Sequence, residues 1–238
     1  MELSMDMYNE EQIKEYYDRI LEQNKEVILK GGTGDPYLLA PDTDTRMALA
    51  LIIQIHPSIN KVIDRYMNEM KAIEPDLYYY PDTNRHITVM DILRGMPGRT
   101  VPENIKDYIA CIQECAYNIN PFDFVFDGFT MSDNAVMIRG YYEYPLEHFR
   151  QQLRSELKKR ALPLEERYQT FSGHITIARI PDRLTHPEQF FDYIQNRKFI
   201  GRMQAVIMRL MFHNWYDSKK KELMPILMNG RPMKGGYR

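Results

Sequence analysis

Residues 86–92 read H-I-T-V-M-D-I, and residues 174–180 read H-I-T-I-A-R-I. Both are short, rich in β-branched residues and alternate polar with apolar side chains, which predicts half-buried strands. On a strand, positions i and i+2 share a face. His86 and Thr88 therefore stand together with Ile87 and Val89 turned to the core, and His174 and Thr176 stand together over Ile175 and Ile177.

The flanking sequence is as repetitive as the motifs. Residues 47–55 form a buried-looking strand that stops at His56-Pro57, and Ser58 is placed to cap a helix running to about residue 73. Residues 136–142 form a second such strand, ending at Tyr144-Pro145, and the helical pattern H-F-R-Q-Q-L-R-S-E-L-K-K-R comes next. His56 lies 30 residues before His86, and Tyr144 lies 30 residues before His174. Beyond each motif a helix opens near a proline, Pro102 or Pro187, and leads to a further β-rich run, residues 122–130 or 203–212. The chain thus reads as two copies of a β-α-β-α-β unit. That predicts an α+β, bilobal fold, with two pseudo-symmetric lobes around a central cleft.

This duplicated domain spans residues 45–228. Residues 1–44 hold an N-terminal helix and a linker. Residues 10–30 carry apolar side chains at helical spacing, stop at Gly31-Gly32, and pass into a turn-rich stretch without the lysine or spacing of a phosphate-binding loop. Residues 229–238 form a basic tail, which with Lys219, Lys220 and Lys221 adds local positive charge.

Composition bounds the partners. The 238 residues carry 31 Lys and Arg against 33 Asp and Glu, a formal net charge of -2. Such neutrality argues against coating nucleic acid by bulk electrostatics, but permits one anionic substrate at a local site. The two cysteines, Cys111 and Cys115, share an apolar helical pattern, so a reducing compartment fits better than a disulfide framework. The N-terminus lacks the pattern of a signal peptide, and no apolar run is long enough to span a bilayer, so a cytoplasmic location without membrane association is expected.

Two imidazoles and two hydroxyls facing one cleft are the groups that acid–base cleavage of a phosphodiester requires. A neutral imidazole takes a proton from the attacking oxygen and an imidazolium gives one to the leaving oxygen. Threonine hydroxyls can donate to the non-bridging oxygens as charge builds there. Neither motif has a carboxylate or second histidine at zinc-ligand spacing, so no metal or other cofactor is expected.

Arg85-His86-Ile87-Thr88-Val89 and Gly173-His174-Ile175-Thr176-Ile177-Ala178-Arg179 resemble the paired signatures of the two-histidine (2H) phosphoesterases. The likeness covers roughly residues 46–227 and is nearer to the RNA ligase-like branch in the second motif; Asp91 is a mild departure after the first. The resemblance implies a bilobal α+β fold with the motif strands lining the cleft, and no metal. It also implies hydrolysis of a 2′,3′-cyclic or 2′-5′-linked nucleotide phosphodiester, with either histidine able to act as acid or base. Ligation of RNA ends through the reverse reaction is one alternative, and an RNA- or nucleotide-binding module with vestigial catalysis is another.

Other residues are weaker candidates. Tyr168 and Phe171, just before the second motif, are placed to stack on a base, and Arg139 to approach an anionic ligand, although each also has a structural reading. Strict alternation puts Arg179 on the face opposite His174, as an ion-pair partner unless the strand bulges. His56 reads as structural, and His213 and Trp215 fall near a cleft mouth without a defined role. The N-terminal helix is read as packing on a lobe or forming a dimer contact.

Overall fold

In the computed structural model, which describes residues 7–196 and 198–230, the duplicated order of elements is present. The chain opens with α1 (Glu10–Leu29) and a single turn, α2 (Pro36–Leu39). The first unit runs β1 (Arg46–Gln54), α3 (Pro57–Ile73), a two-residue β2 (Tyr78–Tyr79), β3 (His86–Pro97), α4 (Ile105–Tyr117) and β4 (Phe122–Met131). The second runs β5 (Ala135–Tyr142), α5 (Tyr144–Lys159), β6 (Ile175–Arg179), α6 (Pro187–Gln195) and β7 (Phe199–Ala205). A hairpin of β8 (Ile207–Asn214) and β9 (Lys220–Leu227) completes the sheet. Of the expected basic tail, residues 231–238 lie outside the described residues.

The strands form one antiparallel sheet in the order β7-β4-β5-β6-β3-β1-β8-β9, with β2 added on β6. The two motif strands meet at its centre, where Ile87 pairs with Ile175. The run expected over residues 203–212 is broken at Val206 into β7 and β8. Only that residue separates them, yet β7 pairs with β4 and β8 with β1, near opposite ends of the sheet order. The sheet must therefore curl until its ends approach, and it forms a half-barrel. The last strand of the first unit, β4, lies between β5 and β7 of the second, and β8 of the hairpin pairs with β1, so the lobes share one sheet.

Ile87, Val89, Ile175 and Ile177 are fully buried in the main core, as their alternation requires. Packed on that core, α1 buries Ile13, Tyr17, Leu21 and Ile28. The Tyr17 hydroxyl donates to the Gly140 carbonyl at 3.1 Å and accepts from the Gly173 amide at 3.2 Å, joining α1 to β5 and to the entry of the second motif. Those two glycines are needed because the backbones nearly touch. A Cβ on Gly140 would lie 1.9 Å from the Gly173 carbonyl oxygen.

The cap of α3 differs from expectation by two residues. His56 is the N-cap, its Nδ1 accepting from the Ser58 amide at 3.3 Å and lying 2.7 Å from the Ser58 hydroxyl. Pro57 occupies the first helical position, where a missing N–H costs nothing, so the cap falls on the residue before it. His56 is structural, as its sequence context implied.

Candidate active site

The Ile87–Ile175 pair sets the geometry of the motifs. Continuing its antiparallel register by one residue each way puts His86 opposite Thr176 and Thr88 opposite His174. The two histidines are then diagonal neighbours on one face, at the spacing of about 7–8 Å typical of such pairs, with their Cβ atoms somewhat closer. All four side chains are partly buried and line one cleft of about 710 Å³.

Each imidazole is oriented by a partner two residues earlier. His86 Nδ1 lies 3.1 Å from the Asn84 carbonyl oxygen, which only accepts, so the proton is on Nδ1 and Nε2 keeps its lone pair. His174 Nδ1 lies 2.9 Å from the Ser172 hydroxyl, which either donates or accepts. The segments N-R-H-I-T and S-G-H-I-T thus carry the same arrangement, and aligning the two motifs exposes the polar residue at i−2.

Burial in the cleft pushes both histidines down to about 4. For His86 the neighbouring His213 adds to the depression, while Asp217 and the Asn84 carbonyl oppose it. For His174 the positive charges of His86, Arg179 and Arg150 add to it. At pH 7 both imidazoles are therefore neutral, and an anion placed beside them would favour protonation.

A family model for the 2′-5′ RNA ligase superfamily matches residues 59–211. The chain belongs to this superfamily of 2H phosphoesterases. TT0787 of Thermus thermophilus superposes with a TM-score of 0.53 at 16% identity, over 78% of this chain and 100% of that one. E. coli LigT crystallised with 3′-AMP superposes with a TM-score of 0.54 at 13% identity, over 77% of this chain and 98% of its own. At these identities the likeness is one of fold. No curated protein sequence matches the chain significantly.

Several residues around the 2H pair come from distant sequence. Arg150 of α5 is fully buried and donates to the Val89 carbonyl at 2.8 Å, the Thr88 carbonyl at 3.2 Å and the Ser172 carbonyl at 2.8 Å. One guanidinium thereby holds both motif backbones. Its signal in the sequence was a charge on the apolar helix face formed by Leu146, Phe149, Leu153 and Leu157. Beside His86, the His213 ring packs edge-on at 5.6 Å. Buried Asp217 lies 3.1 Å from His213 Nδ1, 4.0 Å from His86 Nδ1 and 2.8 Å from Lys220 Nζ.

Arg179 corrects the alternation argument. Thr176 pairs with Met137 but Ala178 pairs with Val136, so Ile177 is an extra residue and β6 bulges there. A bulge reverses the facing of the residues beyond it. Arg179 therefore joins the cleft, where its Nε donates to the Tyr80 hydroxyl at 2.9 Å. It forms no ion pair among the described residues.

The three substrate-binding candidates separate. Tyr168 lines the cleft and is 56% exposed. Phe171 packs edge-on against Tyr16 at 4.6 Å and belongs with the core. Arg139 is not brought to the cleft: α1 covers that part of the sheet, and the guanidinium donates to Asp18 of α1 and, at 2.7 Å, to the Phe129 carbonyl. Among the described residues no three His, Cys, Asp or Glu side chains are grouped to hold a metal ion, and no helix is long and apolar enough to cross a membrane.

Proposed function

We propose that this chain hydrolyses a phosphodiester beside a ribose hydroxyl, in a 2′,3′-cyclic or 2′-5′-linked nucleotide, by acid–base catalysis without a metal. The observation that carries the reading is that the two motif strands meet at Ile87 and Ile175 and that His86, Thr88, His174 and Thr176 line one cleft. Nucleotide binding by a relative supports it: E. coli LigT has been crystallised with 3′-AMP, with NADP+ and with ATP.

The Nδ1 proton of His86 is committed to Asn84, so Nε2 is the base and takes the proton of the attacking oxygen as the new P–O bond forms. Asp217, close to Nδ1, stabilises the resulting imidazolium. His174, protonated once the phosphate's negative charge is beside it, gives its Nε2 proton to the leaving oxygen as the old P–O bond breaks. Thr88 and Thr176 donate to the non-bridging oxygens.

The test is to incubate purified protein, with and without a chelator, with 2′,3′-cyclic AMP and 2′-5′-linked diadenylate, and to identify the products. Turnover unaffected by the chelator is expected, and His86→Ala and His174→Ala should each reduce it by about 10²–10⁴-fold. On a nitrophenyl phosphodiester, whose leaving group needs no proton, His174→Ala should recover far more activity than His86→Ala. Equal recovery by both variants would remove the assignment of roles, and loss of wild-type turnover on chelation would remove the metal-free mechanism.

A further inference from the structure

Trp215 lies just beyond the end of β8 and lines the same cleft, and three arginines gather around its indole. Arg167 lies 4.8 Å from the ring, Arg179 5.4 Å and Arg46 5.7 Å. They come from the loop before the second motif, from the end of β6 and from the start of β1.

The three charges are compensated unequally. Arg46 is neutralised by buried Asp44 through hydrogen bonds of 2.8 and 2.9 Å. Arg179 spends one N–H on the neutral phenol of Tyr80. Arg167 has no hydrogen-bond or ion-pair partner among the described residues, and the group it meets is the indole face. Asp91 feels the charge of Arg167 without forming an ion pair, and burial raises its own pKa, which weakens it as a counter-charge. Exposed Arg94 lines the same end of the cleft.

Guanidiniums held this close repel one another, and stacking offsets only part of that cost. With its ring already taken up by cations, the indole holds Arg167 and Arg179 in place and leaves their planar N–H edges for an anion. Arg179 is also close enough to act electrostatically on His174, so the cluster adjoins the catalytic position.

The geometry points to a second phosphate subsite at Arg167, Arg179 and Trp215, which would make the preferred substrate a nucleotide or oligonucleotide bearing a phosphate besides the scissile one. The inference rests on the phosphoesterase reading of the cleft. Exposed Tyr168, next to Arg167 in sequence, offers an aromatic face for the base of the same unit.

Calorimetric binding of adenosine 3′-monophosphate and adenosine 3′,5′-bisphosphate at fixed ionic strength tests the subsite without turnover. The bisphosphate should bind roughly ten- to a hundredfold more tightly to the wild type, the scale of a charge-assisted contact. Arg167→Gln should bring that ratio toward one, and Arg167→Lys should keep part of it. A wild-type ratio near one, or an unchanged ratio in Arg167→Gln, would overturn the inference. A protein that shows the ratio but hydrolyses nothing would keep the subsite and lose the proposed activity. One that hydrolyses diadenylate but shows no ratio would lose the subsite alone. Turnover of 2′-5′-linked diadenylate, its 5′-phosphorylated form and triadenylate then separates a terminal from an internal phosphate. Preference for either longer substrate supports the subsite, and preference for neither counts against it.

Discussion

At the scale of single residues, the proposed acid–base mechanism ties the pH behaviour to the two depressed histidines. Both imidazoles are pushed down to about 4 because the cleft disfavours their charged forms. The pH profile of kcat/KM reports the free protein, and that of kcat the bound complex. The kcat/KM optimum should therefore fall on the acid side of neutrality, below the ordinary histidine value near 6.5. The kcat optimum should lie higher, because the bound phosphate favours an imidazolium. The limbs belong to the coupled pair rather than to either ring. Initial rates between pH 4 and 9 test this expectation, and a kcat/KM maximum at or above pH 7 would contradict it. The same depression acts on stability. A folded-state pKa below the unfolded one favours the neutral ring, so its contribution is full above about 6.5 and is lost as pH falls through about 4.

At the scale of elements, the second motif depends on the contact between β5 and the residues entering β6. Gly140 and Gly173 approach so closely that an added methyl on Gly140 would strike the Gly173 carbonyl, and Tyr17 bonds to both backbones. Gly140→Ala must push the two segments apart. It should lower stability in urea unfolding by about 1–3 kcal/mol. It should also lower kcat, because Gly173 immediately precedes His174. Gly95→Ala is the control, since its new Cβ would meet only the Arg46 Cβ, at 3.8 Å. Equal losses in both variants would show that the close approach has no special cost.

At the scale of the whole molecule, α1 packs on the sheet, one of the two roles its sequence leaves open. It buries Ile13, Tyr17, Leu21 and Ile28, at about 1.5–3 kcal/mol each. The summed contribution rivals the net stability of an ordinary domain, about 5–15 kcal/mol. It also contributes Tyr16, Ile20 and Asn24 to the cleft wall. A chain beginning at residue 45 should therefore fail to fold cooperatively, as read by circular dichroism during thermal unfolding. A sharp transition within a few degrees of the full-length protein would show that the helix is dispensable.

What the sequence determined by itself was local and periodic. Alternation chose the faces of both H-I-T strands, and equal spacing showed the duplication. Two copies of one motif were enough to point to the 2H family. These properties depend on neighbouring residues, so a linear reading captures them. The tertiary structure decided whatever depends on which strand lies beside which. The bulge at Ile177 turns Arg179 into the cleft, and it arises from the register of β6 against β5. Packing of α1 on the sheet takes Arg139 away to Asp18. Closure of the curled sheet sets His213 and Asp217 beside His86, and Trp215 among its arginines. Arg150 bridges both motifs only because α5 crosses beneath them. Each of these placements joins residues far apart in the chain, through contacts whose partners no local pattern specifies.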